Sequence, residues 1–446
     1  MHSPRFSHRV LKERTRTEGL KDSSDEWLAE GWDETWLQVE TDQASGMITL
    51  TAQANSTGSI RETTITLACG TAEAGITVSQ FYEGFNGLFV DMREFADKPV
   101  FSKNGKYYAT YDHEYLEDGN TAVKYPLIIN AETGETTRLE GSTEYTDVKA
   151  VNNDGTMLSI GTSLSCVVFK NGEKLSLEIP GYKNINVEGF NGDGSIMVGY
   201  AQESEGRKYM PVKWNGLEPE LLQIPEENMN GTQLRNGAMA RGCSEDGSVV
   251  YGSEWDTQGV VYWKNGEMKY IAKETAIART TLVSNMFTGE LDEVEDYAYL
   301  KKNAERYCIS PNGRYIACTF YDFYTDESGS EPSSDINYPA LVDTETGEAI
   351  LFDKAGFMKS MGTTASNDGT LFGNTTDSGD PQGYVFTKGT SSGVHVGEWM
   401  MSEYGIITDN NRYVMNISAD NNTVSGWRVE SSATGTTYRG WYYIGE

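Results

Sequence analysis

The chain has 446 residues, room for two or three domains at roughly 150 residues each, and its 36 Lys and Arg against 66 Asp and Glu leave a net charge of −30. That surplus repels polyanions and excludes a nucleic-acid partner, and no run of 18 apolar residues exists to cross a membrane as a helix. With 47 Gly, 26 Tyr, 15 Phe and 9 Trp alongside 38% hydrophobic residues, the composition argues against disorder and for an all-β protein.

Residues 1–21 (MHSPRFSHRVLKERTRTEGLK) hold six basic and two acidic side chains. They have neither the apolar core of a signal peptide nor any apolar periodicity. We therefore expect them to be disordered or misassigned, and not to pack on the body of the protein. Residues 22–83 alternate as strands should. The runs 36–39, 46–52, 61–67 and 75–80 are short, period-two and separated by turns such as Asn55-Ser56-Thr57-Gly58, the pattern of a β-sandwich. The apolar run 87–91 could act as an N-terminal latch on a later sheet.

From Lys98 onward one phrase recurs: a turn with Asp-Gly or Asn-Gly, then a small-and-apolar strand. It appears as SKNGKYYAT, NNDGTMLSIG, NGDGSIMVGY, SEDGSVVYGS, SPNGRYIACT, SNDGTLFGNT and TDNNRYVMNI. The turn residues Asn104, Asp154, Asp193, Asp246, Asn312, Asp368 and Asn411 lie 50, 39, 53, 66, 56 and 43 apart. A second phrase follows each, as in VVYWKNGEMKYI and ALVDTETGEAILF. Four short strands per unit at this spacing predict a seven-bladed β-propeller over 84–446. Its last unit is expected to supply its own four strands, at 404–408, 413–417, 424–429 and 438–444. The link 274–303 is rich in acids and reads as a short acidic helix.

The first of these modules resembles a known family. The runs EWLAEGWDETWLQVE, AQANSTGSIRETTITL and ITVSQF look like the BACON domain, an immunoglobulin-like module of Bacteroidetes surface proteins. Trp27, Trp36, Asn55, Gly58, Arg61, Ile65, Val78 and Gln80 match its pattern. The resemblance implies an immunoglobulin-like sandwich, a cell-envelope setting and glycan association, or else a spacer role. It also implies a first hairpin that residues 1–21 do not resemble. A truncated start would explain that gap, and a lipid anchor would then come from a signal upstream. SPNGRYIA with VDTETGEAILF resembles blades of Tol-system propellers, and SEDGSVVYGS with VVYWKNGEM resembles bacterial extracellular repeats. This likeness implies architecture and no particular chemistry.

The residues offer little for catalysis, and no cofactor or metal is expected. The Asp-Gly pairs lack the alternating ligands and closing Glu of a calcium loop, and read as hairpin turns that need φ > 0. Five cysteines (69, 166, 243, 308, 318) show no CxxC spacing and do not cluster with the four histidines. They read as buried free thiols, although Cys308 and Cys318 could meet across a hairpin. Asp112, His113 and Glu114 read as solvated loop residues rather than a catalytic trio. Binding is the favoured function. Antiparallel alternation sends every Asx-Gly turn to one face and every long loop to the other, where binding residues usually sit. The candidates are Tyr111, Tyr115, Tyr209, Trp255, Tyr321, Phe323 and Tyr324, flat aromatic faces near carboxylates that suit sugar rings. The expected partner is a glycan or another surface protein. The alternatives are a propeller lyase or glycosidase acting on a polysaccharide, and a protein–protein platform.

Overall fold

The computed structural model describes residues 9–10, 16–19 and 28–445, except 43, 45–46, 58–60, 70–71, 81–86, 93–97, 118, 120, 285–288, 303–307, 324–334, 353–359, 376–381, 391 and 433–434. The N-terminal part is a sandwich of two sheets. One sets Arg9–Val10, Ala72–Gln80, Arg61–Cys69 and Leu28–Glu30 side by side, and the other Arg16–Gly19, Met47–Ala52 and Leu37–Asp42. Strand alternation turns Leu37, Ile48, Leu50, Ile65, Leu67, Ile76 and Val78 inward, where they pack with Trp36.

The described residues of the opening segment are paired, against the expectation that it would not pack on the body of the protein. Arg9 and Val10 pair in parallel with Val78 and Ser79, and Arg16–Gly19 pairs antiparallel with Met47–Leu50. An open sheet edge recruits any backbone that can reach it, and main-chain pairing asks nothing of side-chain polarity. A forecast based on composition and apolar periodicity could not see it.

Beyond residue 87 the described strands form seven sheets, numbered here as blades 1 to 7 in chain order. Blade 1 holds Val100–Phe101, Tyr107–Tyr115, Ala122–Asn130 and Thr136–Arg138. Blade 2 holds Val148–Val151, Met157–Gly161, Cys166–Lys170 and Glu173–Leu175, and blade 3 Tyr182–Phe190, Ile196–Glu203, Tyr209–Asn215 and Glu218–Leu221. Blade 4 holds Ala238–Cys243, Val249–Glu254, Val260–Lys264 and Glu267–Lys269. Blade 5 has five strands, Ile277–Ser284, Leu291–Lys301, Tyr315–Phe323, Asp335–Asp343 and Glu348–Leu351. Blade 6 holds Ser360–Ala365, Leu371–Thr375, Gly383–Phe386 and Val394–His395. The link expected to be a helix is therefore mostly a hairpin, Ile277–Ala298 in continuous antiparallel register. Its period-two alternation outweighs its acidity.

Blade 7 joins Arg412–Ile417, Thr423–Ser432 and Gly435–Ile444 to Leu88–Asp91, which pairs antiparallel with Trp441–Ile444. The latch is thus the outer strand, and the last unit does not supply four strands of its own. The stretch expected as its first strand follows a helix, Val396–Tyr404, which ends at Gly405 in the left-handed region and buries Val396 and Met400. The ring closes where Val90, Met92 and Tyr442 pack on Phe101, Tyr108 and Leu127 of blade 1. Asn416 Nδ2 also donates to Ser102 O at 2.9 Å there.

The Asx turns share one construction. In blade 4, Ser244 Oγ donates to Asp246 Oδ1 at 2.5 Å and accepts from Val249 N, while Asp246 Oδ1 accepts from Ser248 N at 2.9 Å. Burial would raise the Asp246 carboxyl, but the hydrogen bonds from Ser244 and Ser248 outweigh it and hold the group below the usual range. Blade 7 repeats this with Ser418, Asp420 and Asn422. The seventh turn is therefore centred on Asp420 and not on Asn411, whose buried Oδ1 has no partner among the described residues. Neighbouring turns are also tied together. Asn153 Oδ1 accepts from Asn104 N, Glu245 O from Gly192 N, and Pro311 O from Glu245 N.

Two stability outcomes follow. Asp420→Ala should lower stability by about 1 kcal/mol or more, the scale of losing a turn carboxylate and stranding its donors, whereas Asn411→Ala should be close to neutral; urea midpoints of the two variants decide. Asp91 on the latch is buried and meets Arg412 Nη2 at 2.9 Å and Arg428 Nη1 at 2.8 Å. Burial opposes ionisation, but Arg412 and then Arg428 prevail and hold the carboxyl down to about 2 from 3.8. A depressed carboxyl contributes stability that is present above pH ~4 and lost as pH falls through ~2. Asp91→Asn should therefore be less stable than the wild type by about 2 kcal/mol at neutral pH. That gap should close on acidification from pH ~4 to ~2, followed by denaturant unfolding at stepped pH.

Candidate functional site

Because strands alternate, in the four-stranded blades the second-to-third-strand loops and the blade links share the face opposite the Asx turns. On that face blades 3, 4 and 5 bring aromatic residues together. Tyr209 opens the third strand of blade 3, and its amide donates to Asn236 O at 3.0 Å. Trp255 follows the second strand of blade 4, and its amide donates to Gly237 O at 2.9 Å. The two rings stack with centroids 4.9 Å apart and planes 21° apart. Tyr200 meets Tyr209 edge-on at 5.5 Å. Trp255 remains 42% exposed, so the stack offers a face to solvent.

The loop behind it is fixed by two carboxylates. Glu254, fully buried, accepts from Thr257 N, Thr257 Oγ1, Gly259 N and Tyr270 Oη. Asp256 accepts from Arg235 N, Asn236 N and Asn236 Nδ2. The same loop reaches blade 5: Tyr299 Oη donates to Thr257 O at 3.0 Å and Lys302 N to Gln258 O at 3.0 Å. There Tyr321 lies under the Lys301 ammonium, 3.5 Å from ring centroid to Nζ, and 6.3 Å from Tyr299.

The other candidates are placed differently. Tyr111 and Tyr115 sit on the long hairpin of blade 1. Tyr111 is half-buried beneath Lys124 Nζ at 4.3 Å, and Tyr115, 64% exposed, meets His113 edge-on at 5.1 Å. The backbone of Phe323 pairs with Asp335, and its side chain and the whole of Tyr324 lie outside the described residues. Asp112, His113 and Glu114 are on a strand, not a loop, and Glu114 is spent on Arg138 at 2.6 Å.

Sequence reasoning missed a charged cluster just inside this face. Lys149, Glu188 and Arg241 come from the first strands of blades 2, 3 and 4. Lys149 Nζ lies 2.5 Å from Glu188 Oε1, and Arg241 Nη1 lies 3.8 Å from Glu188 Oε2. The guanidinium also stands 6.0 Å over the Tyr200 ring. A signal existed: each charge lies five residues ahead of its turn Asp, as in Lys149 and Asp154, Glu188 and Asp193, Arg241 and Asp246. Between blades 2 and 3 a groove of about 500 Å³ is lined by Cys166, Leu175, Leu177, Ile179, Tyr182 and Ile185 among others. Burial pushes the Cys166 thiol up, so it is no ready nucleophile, and its Sγ accepts from Val187 N.

In the sandwich, the matched pattern residues form a knot. Arg61 donates to Gln80 Oε1 at 2.9 and 2.7 Å, Asn55 Nδ2 to Gln80 O at 3.0 Å, and Gln80 Nε2 to Gln53 O at 2.7 Å. Arg61 also caps the Trp36 ring at 4.7 Å.

Residues 24–81 match the family model BACON, described as "Putative binding domain, N-terminal". Among solved structures, the chain is similar to the β-propeller domain of the Trilobed protease from Pyrococcus furiosus, with 12% identity, 82% of this chain and 95% of that one covered, and a TM-score of 0.42. It is similar to TolB from Acinetobacter baumannii at 10% identity, 81% and 77% covered, TM-score 0.36. It is also similar to Porphyromonas gingivalis dipeptidyl peptidase 4 at 10% identity, 87% and 57% covered, TM-score 0.36. At these scores the propeller architecture is read from the strand pairings above and no activity is transferred. No curated protein matches the chain in sequence. The N-terminal sandwich thus matches the BACON family over residues 24–81, and a β-propeller follows it.

Proposed function

We propose that this chain is a non-catalytic binding protein of the cell envelope that captures a glycan on the variable-loop face of its propeller, near the axis, over blades 3 to 5. One observation carries the reading: the Tyr209–Trp255 stack, a flat aromatic surface shared by two blades and open to solvent at Trp255. Sugar rings present C–H faces that fit such a surface and hydroxyls that neighbouring polar groups can bond. The loop is held by Glu254 and Asp256 before any ligand arrives, so little ordering cost falls on binding. In this reading 84–446 is the binding domain, and the sandwich of 22–83 presents it at the surface.

Trp255→Ala should weaken binding of a responsive oligosaccharide by about 1–3 kcal/mol, the scale for burying an aromatic face, measured by calorimetry after a glycan-array screen. Asp154→Ala, on the opposite face, should alter stability and leave affinity alone. Undiminished affinity in Trp255→Ala moves the site elsewhere. Turnover of a polysaccharide panel would make the chain an enzyme, and capture of a surface protein with no glycan response would make it a protein platform.

A further inference from the structure

In blades 2, 3, 4, 6 and 7 the pairing of the first strand with the second skips one residue shortly before the Asx turn: Lys149, Glu188, Arg241, Thr363 and Met415. Blade 3 has a second register shift, between Lys183 and Asn186. Each of the five skipped residues marks a β-bulge, which re-aims a side chain. The bulge is built into the neighbouring strand: a Cβ on Gly199 would meet Asn186 O at 1.9 Å, and one on Gly252 would meet Met239 O at 1.9 Å. First strands line a propeller's axis, so the bulges fall at corresponding places on five inner strands, and in blade 7 the residue is Met415, packed with Tyr413 and Trp427. Contacts between blades agree, for Lys149 and Arg241 both reach Glu188, and Thr363 Oγ1 donates to Val414 O at 2.6 Å.

Two cations face one carboxylate in this cluster, and Thr363 and Met415 add no charge. In a chain of net charge −30 that local excess is positive. Distant acids are screened beyond roughly 8 Å at physiological salt, so the cluster itself decides what enters. The cations are not equivalent. Lys149 Nζ is engaged by Glu188 at 2.5 Å and Asn186 Oδ1 at 3.3 Å. Among the described residues Arg241 makes one long ionic approach, 3.8 Å to Glu188, beside its place over the Tyr200 ring, and its buried Nε has no hydrogen-bond partner there. A buried guanidinium N–H without an acceptor is costly, and a guanidinium fork matches a carboxylate with two parallel bonds. From Arg241 a run of contacts leads to the mouth, through Tyr200 at 6.0 Å, then Tyr209 at 5.5 Å, then Trp255 at 4.9 Å.

We propose that Arg241 is an acid-recognition residue, taking the carboxylate of a hexuronate unit whose sugar chain continues outward along the run Tyr200, Tyr209 and Trp255. This rests on the glycan reading above and names the class of glycan. On the far side of the ring Lys103 of blade 1 donates from Nζ to Cys243 O of blade 4 at 2.6 Å, a chord between the two blades. In this proposal the acidic unit enters from the loop face, where the run of aromatic residues ends.

The test compares a hexuronate-terminated oligosaccharide with its carboxyl-reduced, neutral counterpart, titrated into the full chain. The wild type should bind the acidic form about tenfold tighter or more, the scale of one charge-assisted pair, and the gap should narrow as salt is raised. Arg241→Gln should erase the gap. Arg241→Lys, which keeps charge but loses the fork, should retain only part of it. The wild-type comparison needs no variant and survives a folding defect in either. Equal binding of both sugars overturns this inference and leaves the glycan reading standing. No binding of either sugar overturns both, and binding of an acidic peptide in place of the sugars overturns this assignment.

Discussion

A ring of sheets holds its shape only if its last sheet meets its first, and here that meeting is made by four residues from the front of the chain. Leu88–Asp91 completes blade 7, and Asp91 reaches Arg428, 337 residues away in sequence. The long separation costs little extra, because loop-closure entropy grows only logarithmically. What the closure requires is a contact strong enough to hold an edge strand. Three backbone-paired apolar residues and one buried carboxylate between two guanidinium groups provide it. Burying a charge is costly unless it is paired, and both guanidinium groups meet Asp91 through Oδ2, so a register in which the strand slipped would strand the carboxylate without them.

The repeat was readable because its turns obey a local rule. Ser or Asn, two residues before an Asp or Asn, builds a self-contained hydrogen-bonded turn, and six of the turns then place Gly at the left-handed position. The seventh puts Asn421 there at φ 60°, so the visible dipeptide disappears, and the nearby Asp-Asn-Asn before Arg412 looked like the better match. The apolar run 87–91 marked a possible latch, but its partner, like those of the paired segments Arg9–Val10 and Arg16–Gly19, is distant backbone, about which local pattern is silent. In the link before blade 5, the acids suggested a helix while the alternation of Thr, Val and Tyr decided for strands.

The variable-loop face shows the same division. Trp255 and Tyr209 could be named from the sequence because they stand in or at the end of variable loops. Their companions Tyr200 and Arg241 stand in strands that read as core, and what sets Arg241 apart is a register shift that depends on the neighbouring strand. In the sandwich the situation is reversed. The residues that made the family recognisable, Asn55, Arg61 and Gln80, spend their polar groups on one another and on the backbone. They specify the fold of that module, and a recognisable motif there says little about what the surface touches.

Lys103 makes the ring more than a chain of neighbours. With its ammonium fixed across the ring to Cys243 O, blade 1 is tied to blade 4 directly as well as through the two blades between them. A local loosening of blade 2 or blade 3 therefore leaves that tie standing, and the strain of opening is shared between both sides of the ring.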